Sequence, residues 1–294
     1  MNTYFWNPTL NRSPDFVSMH REYRRYTGNF LLQNFGDVLG KFLLNSELPE
    51  QSFVWSIPSK ATLFSIGSIA ETVLNSNSTR IANLWGTGFK SPDFKQSKKN
   101  REFRVLALRG LYSKRNLEIS SRYTVLGDPG LLTSLHVTHP PHSLKLSGLV
   151  IPHYSFYQSA ERVEYLSELQ QNGLRIINVG DNLNQIIDQI GSTSIVFSNA
   201  LHPLIVADSL GIPAVRIVGG LTDNSEFKYA DYLSIYPEQI SWPKISWESV
   251  TRRSFNEQQV VSDSMERLQL IDSRIRNVQD DLREVLHDWS RSLG

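Results

Sequence analysis

His202 is the side chain around which the chemistry of this sequence gathers. It stands in the run from Ser194 to Ile217, where a β-branched apolar stretch stops at the polar pair Ser198 and Asn199. His202 then comes directly before Pro203, where a helical pattern of Leu204, Ile205, Ala207 and Leu210 starts and runs until Gly211 halts it. Ile212 to Ile217 resume an extended apolar run, so the whole reads as a βαβ unit. The loop of such a unit lies at the carboxyl edge of a parallel sheet, where ligands sit. Free N–H groups and the positive end of a helix dipole beside an imidazole suit a phosphate or a carboxylate, and Ser198 and Asn199 in the same loop are further binding candidates. On the local pattern alone, a histidine before a helix is more often a capping or packing residue.

Other titratable residues fall at comparable places. Asp37 precedes the helical pattern Val38, Leu39, Phe42 and Leu43, where it is either an N-cap or a carboxylate able to accept a proton from a hydroxyl. Arg109 ends the apolar run from Phe103 and is followed by Gly110 and a helix start bearing Lys114 and Arg115. An Arg there can clamp a carboxylate or phosphate at two points, or pair with an acid between domains. Asp128, in the turn Gly127 to Gly130, is a ligand contact or an Asx-turn residue. His153, directly after Ile151 and Pro152, stands at another strand end and can face the same cleft. His136, His139 and His142 have the spacing of a metal site, but Pro140 and Pro141 forbid the helix that spacing needs, so no metal is expected.

The elements that must position these residues alternate regularly. Residues 1–30 read as a loop with mixed turns; 61–68 and 81–89 read as strands running into Gly turns, with a basic linker from Lys90 to Arg104. Strands over 103–108 and 123–132 flank a helix over 111–116, and 135–146 reads as an interdomain linker. Strand, helix, strand and helix then follow to residue 190, ahead of the βαβ unit. Phe227 to Tyr236 reads as a short helix and turn near the cleft, with Trp242 and Trp247 in a loop. A long amphipathic helix or helix pair over 257–293 carries Met265, Leu268, Ile271, Ile275, Val278, Leu282, Val285, Leu286 and Trp289 on one stripe. Alternation of this kind predicts an α/β fold with doubly wound parallel sheets, divided into 1–140, 141–255 and C-terminal helices 256–294.

Composition narrows the classes. At 294 residues, 40% hydrophobic and 20% charged, the chain is long enough for two domains. A net charge of +1 argues against a broad nucleic-acid surface. The absence of cysteine removes disulfides, thiolate metal sites and thiol nucleophiles. The first residues carry no basic and apolar leader, and no apolar run reaches 18 residues, so the expectation is a cytoplasmic protein whose membrane contact is at most peripheral, at the inner face.

Taken in order, NFGD (34–37), GSI (67–69), WGTGF (85–89), ALRGLYSKR (107–115), LGDPGLL (126–132), IPHY (151–154), SNALHPLIVADSLGIPAV (198–215) and FKYADYLS (227–234) resemble the polysaccharide pyruvyl transferase family. The resemblance implies two Rossmann-like domains facing across a cleft, as in GT-B glycosyltransferases, with 1–140 on the acceptor side and 141–255 on the donor side. It implies phosphoenolpyruvate as donor, no cofactor, and a saccharide acceptor, lipid-linked or free, in capsule or exopolysaccharide synthesis. The product is a pyruvate ketal across two hydroxyls, with release of phosphate. On the matching positions, His202 becomes the proton donor, Asp37 the base or acceptor anchor, Arg109 with Gly110 the anion clamp, and the Pro203 helix start the phosphate cradle. Ala200 departs from the pattern, since many members carry Arg there; Lys114, Arg115 or Lys228 would compensate together with Arg109. Two other readings use the same features: a GT-B nucleotide-sugar glycosyltransferase, and a noncatalytic partner in polysaccharide assembly.

Overall fold

In a computed structural model the described residues are 1–6, 21, 23–25, 34–94, 101–137, 148–158, 160–178, 180–219, 226–237 and 240–293, apart from the side chains of Asp37 and Gln158. His139 and His142 lie outside them, as does most of the expected linker. The elements in chain order are β1 (Asn2–Tyr4), α1 (Phe35–Glu47), β2 (Val54–Trp55), β3 (Leu63–Phe64), α2 (Ala70–Leu74), β4 (Ala82–Thr87), β5 (Phe103–Leu108), α3 (Leu111–Asn116) and β6 (Val125–Leu126). A 3₁₀ turn over Pro129–Leu132 leads into α4 (Thr133–His136). Then come β7 (Gly148–Ile151), a second 3₁₀ turn, α5 (Ala160–Gln171), β8 (Arg175–Ile176), α6 (Leu183–Gly191), β9 (Ile195–Ser198), α7 (Leu201–Leu210) and β10 (Ala214–Val218). The chain ends with α8 (Glu226–Leu233), β11 (Lys244–Ser246), α9 (Trp247–Arg252) and α10 (Glu257–Arg291).

The strands form two parallel sheets, one in the order β2-β1-β3-β4-β5-β6 and the other β11-β10-β9-β7-β8. Parallel strands covered on both faces read as unbroken apolar runs, and β4, β7 and β9 are buried along their whole length. In each sheet the order reverses once: between β1 and β3 in the first, and between β7 and β9 in the second. At such a point the neighbouring connections leave on opposite faces, which opens a crevice outside the carboxyl ends of the strands.

One continuous hydrophobic cluster joins the sheets, running from Leu63, Trp85 and Leu106 through Leu204 and Val206 to Leu149, Val196 and Val215. Helix α7 is buried on nearly all sides, with Asp208 enclosed among its apolar residues, and packs on α1, α4 and the first 3₁₀ turn. Helix α10 is a single helix of 35 residues that reaches both sheets. Its Leu282 carbonyl accepts the Trp85 indole N–H at 3.0 Å, Gln279 donates to the Leu131 carbonyl, and Ser264 Oγ donates to the Ala214 carbonyl. Each buried apolar side chain on it, such as Ile271, Val278 or Leu282, contributes roughly 1.5–3 kcal/mol relative to exposure.

Several local expectations change. Residues 2–4 are not loop but strand β1, in the interior of the first sheet, because pairing with β2 and β3 on its two sides supplies what three residues cannot provide alone. Asn34 holds the N-cap position of helix α1, without a side-chain cap, which leaves Asp37 as the third residue and not the N-cap. Helix α7 starts at Leu201, so His202 lies inside its first turn and not ahead of it. The region around Trp247 is strand and helix, not loop. Met265 is 42% exposed and falls off the buried stripe of α10.

Candidate active site

Both crevices open into one cleft of about 730 Å³. From the first sheet it receives Trp6 just past β1, Gly67, Ser68 and Ile69 past β3, and Lys90 past β4. From the second it receives His153, Tyr154 and Ser155 past β7, and Ala200 to Pro203 past β9. Asn34, Phe35 and Gly36 at the start of α1, Arg162 of α5 and Lys228 of α8 complete its main walls. The cleft thus carries Lys90, Arg162, Lys228 and two histidines, and no described Asp or Glu lines it.

His202 occupies the wall where the two sheets meet. Its ring lies so close to Gly36 that a Cβ there would come within 1.7 Å of Nδ1, so only glycine fits at that point of α1. On the opposite side, Nε2 stands 3.8 Å from Asp128 Oδ2. Neither atom has a hydrogen-bond partner, although both are buried. The other oxygen of Asp128 accepts the Gly130 N–H at 2.9 Å and caps the 3₁₀ turn, which is the Asx-type role the sequence allowed. Burial raises the Asp128 carboxyl to about 6, despite the Gly130 hydrogen bond. Burial also draws His202 down to about 3, and the positive charges of Arg109 and Lys228 push the same way. The imidazole is therefore neutral, beside a carboxyl that holds a proton in mildly acidic solution.

Arg109 does not open onto the cleft. It is fully buried, with Nε donating to Asp231 Oδ2 at 2.9 Å, one terminal nitrogen to Ser68 Oγ and the other to the Phe89 carbonyl. Asp231 also accepts the backbone N–H and the hydroxyl of Ser113. The clamp expected from sequence is thus an internal ion pair, the alternative the same residues permitted, and it acts on the cleft through Ser68 and through its charge. Gly110 serves the same junction, because a Cβ there would meet the Asp231 carbonyl oxygen at 1.7 Å.

The other expected residues divide. Asn199 accepts the His153 backbone N–H on its side chain and the Tyr229 hydroxyl on its carbonyl, and Ser198 Oγ donates to the Ile151 carbonyl. Both are buried and hold the two loops in place without lining the cleft. His153 lines it, with Nδ1 bonded to Ser155 Oγ at 2.8 Å, and burial keeps it well below the usual histidine range, helped by Lys228, His202 and Lys90. Lys228 lines it as well. Lys114 and Arg115 do not; Arg115 is exposed and lies over the Tyr112 ring. Ala200 is the N-cap of α7 and provides no side-chain cap, so the first amides of that helix have no such acceptor. Lys90 falls in the stretch that reads as a basic linker; Trp6 and Arg162 carry no signal in sequence, and Tyr154 only its place after a strand end. Asp231 sits within FKYADYLS, but its partner is 122 positions away.

Among the described residues no group of three or more His, Asp or Glu side chains could hold a metal ion, and no helix is long and apolar enough to cross a membrane. A family model described as polysaccharide pyruvyl transferase matches residues 16–219. The chain is also 32% identical over 181 residues to "Uncharacterized protein L143" of Acanthamoeba polyphaga mimivirus, an alignment covering 58% of each protein. The chain thus spans a little over half the length of that relative.

Proposed function

From the premise that the chain belongs to the polysaccharide pyruvyl transferase family, we propose that it forms a pyruvate ketal on a sugar of a cell-surface or exported polysaccharide, taking the three-carbon unit from phosphoenolpyruvate and releasing phosphate. The observation that carries this reading is the set of groups that line the cleft: Lys90, Arg162 and Lys228 with His153 and His202. A small donor bearing a carboxylate and a phosphate suits such a wall, and the uncapped start of α7 adds amides and a dipole of the right sign.

In this scheme His202 delivers a proton to the methylene carbon of the donor, and the π electrons form the new C–H bond. The cation that develops at C2 is shared with the ester oxygen. A first acceptor hydroxyl adds at C2 and passes its proton to Asp37, the C2–O bond to phosphate breaks, and a second hydroxyl closes the ketal while its proton leaves with phosphate. Burial is the main influence that keeps His202 neutral, and the donor's negative charge offsets the two others, Arg109 and Lys228. Asp128 behind Nε2 then stabilises the imidazolium, and Nδ1 at the Gly36 wall faces the reaction. The two-lobed GT-B plan and a site of action at the inner face of the membrane belong to the same proposal.

The test is thermal stabilisation of the full chain by phosphoenolpyruvate, set against a panel of nucleotide sugars. A ligand that binds only the native state raises the melting temperature by mass action, so no acceptor is needed. We expect phosphoenolpyruvate alone to raise it, Lys228→Met and Lys90→Met to abolish the rise, and His202→Asn to keep the rise but release no phosphate with acceptor present. A rise with a nucleotide sugar and none with phosphoenolpyruvate would replace this reading with glycosyl transfer.

A further inference from the structure

The cleft has a second wall, made of aromatic rings. Trp6 and Tyr154 both line it, half-buried, with ring centroids 4.9 Å apart and planes inclined at 39°. They come from the two strands at which the sheets reverse order, β1 and β7. Tyr154 in turn packs against the ring of His153 at 4.2 Å, so Trp6, Tyr154 and His153 form a ladder of rings leading toward the histidine and lysine cluster. The ladder is held from behind. Trp55 Nε1 donates to the carbonyl of Phe5, the residue before Trp6, at 3.1 Å, and Arg162 donates to the carbonyl of Ser155, the residue after Tyr154, at 3.2 Å. The Trp6 indole donates no hydrogen bond to a described residue, which leaves its N–H for a ligand.

Resting on the donor assignment above, we infer that Trp6 and Tyr154 form the acceptor subsite, a saccharide platform on which one face of a pyranose ring lies so that its hydroxyls point along the ladder to C2 of the donor. The C–H face of a sugar is apolar and slightly positive, and matches the negative face of an aromatic ring. A tilted pair presents a shallow trough, which suits the uneven face of a chair better than it suits a flat base. Ser155, Thr72 and Asn34 line the same cleft and can supply polar partners for a sugar's edge.

The experiment is saturation-transfer NMR of the full chain with methyl glycosides of glucose, galactose, mannose and N-acetylglucosamine, with and without phosphoenolpyruvate. It is run on wild type, Trp6→Ala, Trp6→Phe and Tyr154→Ala, with uridine as competitor and the melting temperature of each variant recorded. We expect at least one glycoside to bind wild type, to weaken about tenfold in each alanine variant and to recover in Trp6→Phe, while the rise in melting temperature with phosphoenolpyruvate stays the same. Glycoside binding that survives both alanine substitutions overturns the inference. So does an absence of glycoside binding to donor-loaded wild type, or displacement of the glycoside by uridine. If phosphoenolpyruvate gives no rise in wild type, the donor reading fails on its own, and the glycoside titration still decides whether the ring pair binds sugar.

Discussion

Replacing Asp128 by Asn should make the protein more stable and much less active, and the stability gain should depend on pH. Asp128 is fully buried, with one oxygen on the Gly130 N–H and the other without a hydrogen bond, 3.8 Å from His202 Nε2. Its carboxyl rises from 3.8 to about 6 on folding, so ionisation costs the native state about 3 kcal/mol at pH 8. Because the folded value lies above the unfolded one, the favourable contribution is whole below pH 3.8 and is lost as the pH climbs through 6. The amide retains the cap to Gly130 and never ionises. The variant should therefore exceed wild type by about 3 kcal/mol at pH 8 and by only about 1 kcal/mol at pH 4.5. For a chain of 294 residues, 3 kcal/mol is about 5 °C in melting temperature. Differential scanning calorimetry at the two pH values measures the gap, and phosphate release from phosphoenolpyruvate should fall by roughly 10² or more once the imidazolium loses its carboxylate. An amide variant no more stable than wild type at pH 8, or one whose advantage is the same at both pH values, would refute the account of a proton stored behind His202.

Gly36→Ala forces a methyl group against the His202 ring, within 1.7 Å of Nδ1, so the ring must turn out of place. Turnover should fall at least about tenfold for a stability loss of about 1–3 kcal/mol, read by phosphate release beside a urea melt; activity near wild type would show that the ring position is not what matters. Asp231→Ala leaves Arg109 charged, buried and without its carboxylate, and removes the acceptor of the Ser113 N–H and hydroxyl. The expected loss in chemical denaturation is about 3–5 kcal/mol, and a loss under 1 kcal/mol would mean that Ser68 and the Phe89 carbonyl suffice.

What the sequence made legible follows from how far each determinant reaches. The unit β9-α7-β10 could be read because strands covered on both faces are unbroken apolar runs and Gly211 ends the helix within the same stretch. Placing His202 and His153 on one cleft followed from strand ends alone, and the structure brings them together. By contrast, β1 and β2 have three and two residues, too few to show any period, and exist only because they pair with each other and β1 with β3. The destination of Arg109 depended on an acid in a distant helix, and the pairing of His202 with Asp128 on how α7 packs against the first 3₁₀ turn. Residue types fixed what Arg109 could do, but only packing chose between its options. Lys90, which looked like part of a basic linker, belongs to the cleft because β4 delivers it there.

Helix α10 gives the family-matching segment an unusual dependence. That segment, 16–219, contains His202, Asp128, His153 and Gly36, yet it includes neither β1 nor anything beyond β10. Cut out at those limits, it would leave the Trp85 indole N–H without the Leu282 carbonyl and the buried Asp208 carboxylate without Arg267, Trp242 and Tyr232. The first sheet would be split, with β2 and β3 facing an empty slot. The stretch that names the family is therefore a keystone without its arch. The reacting groups are carried by the middle of the chain, and the parts that keep them at their working distance are supplied by its two ends.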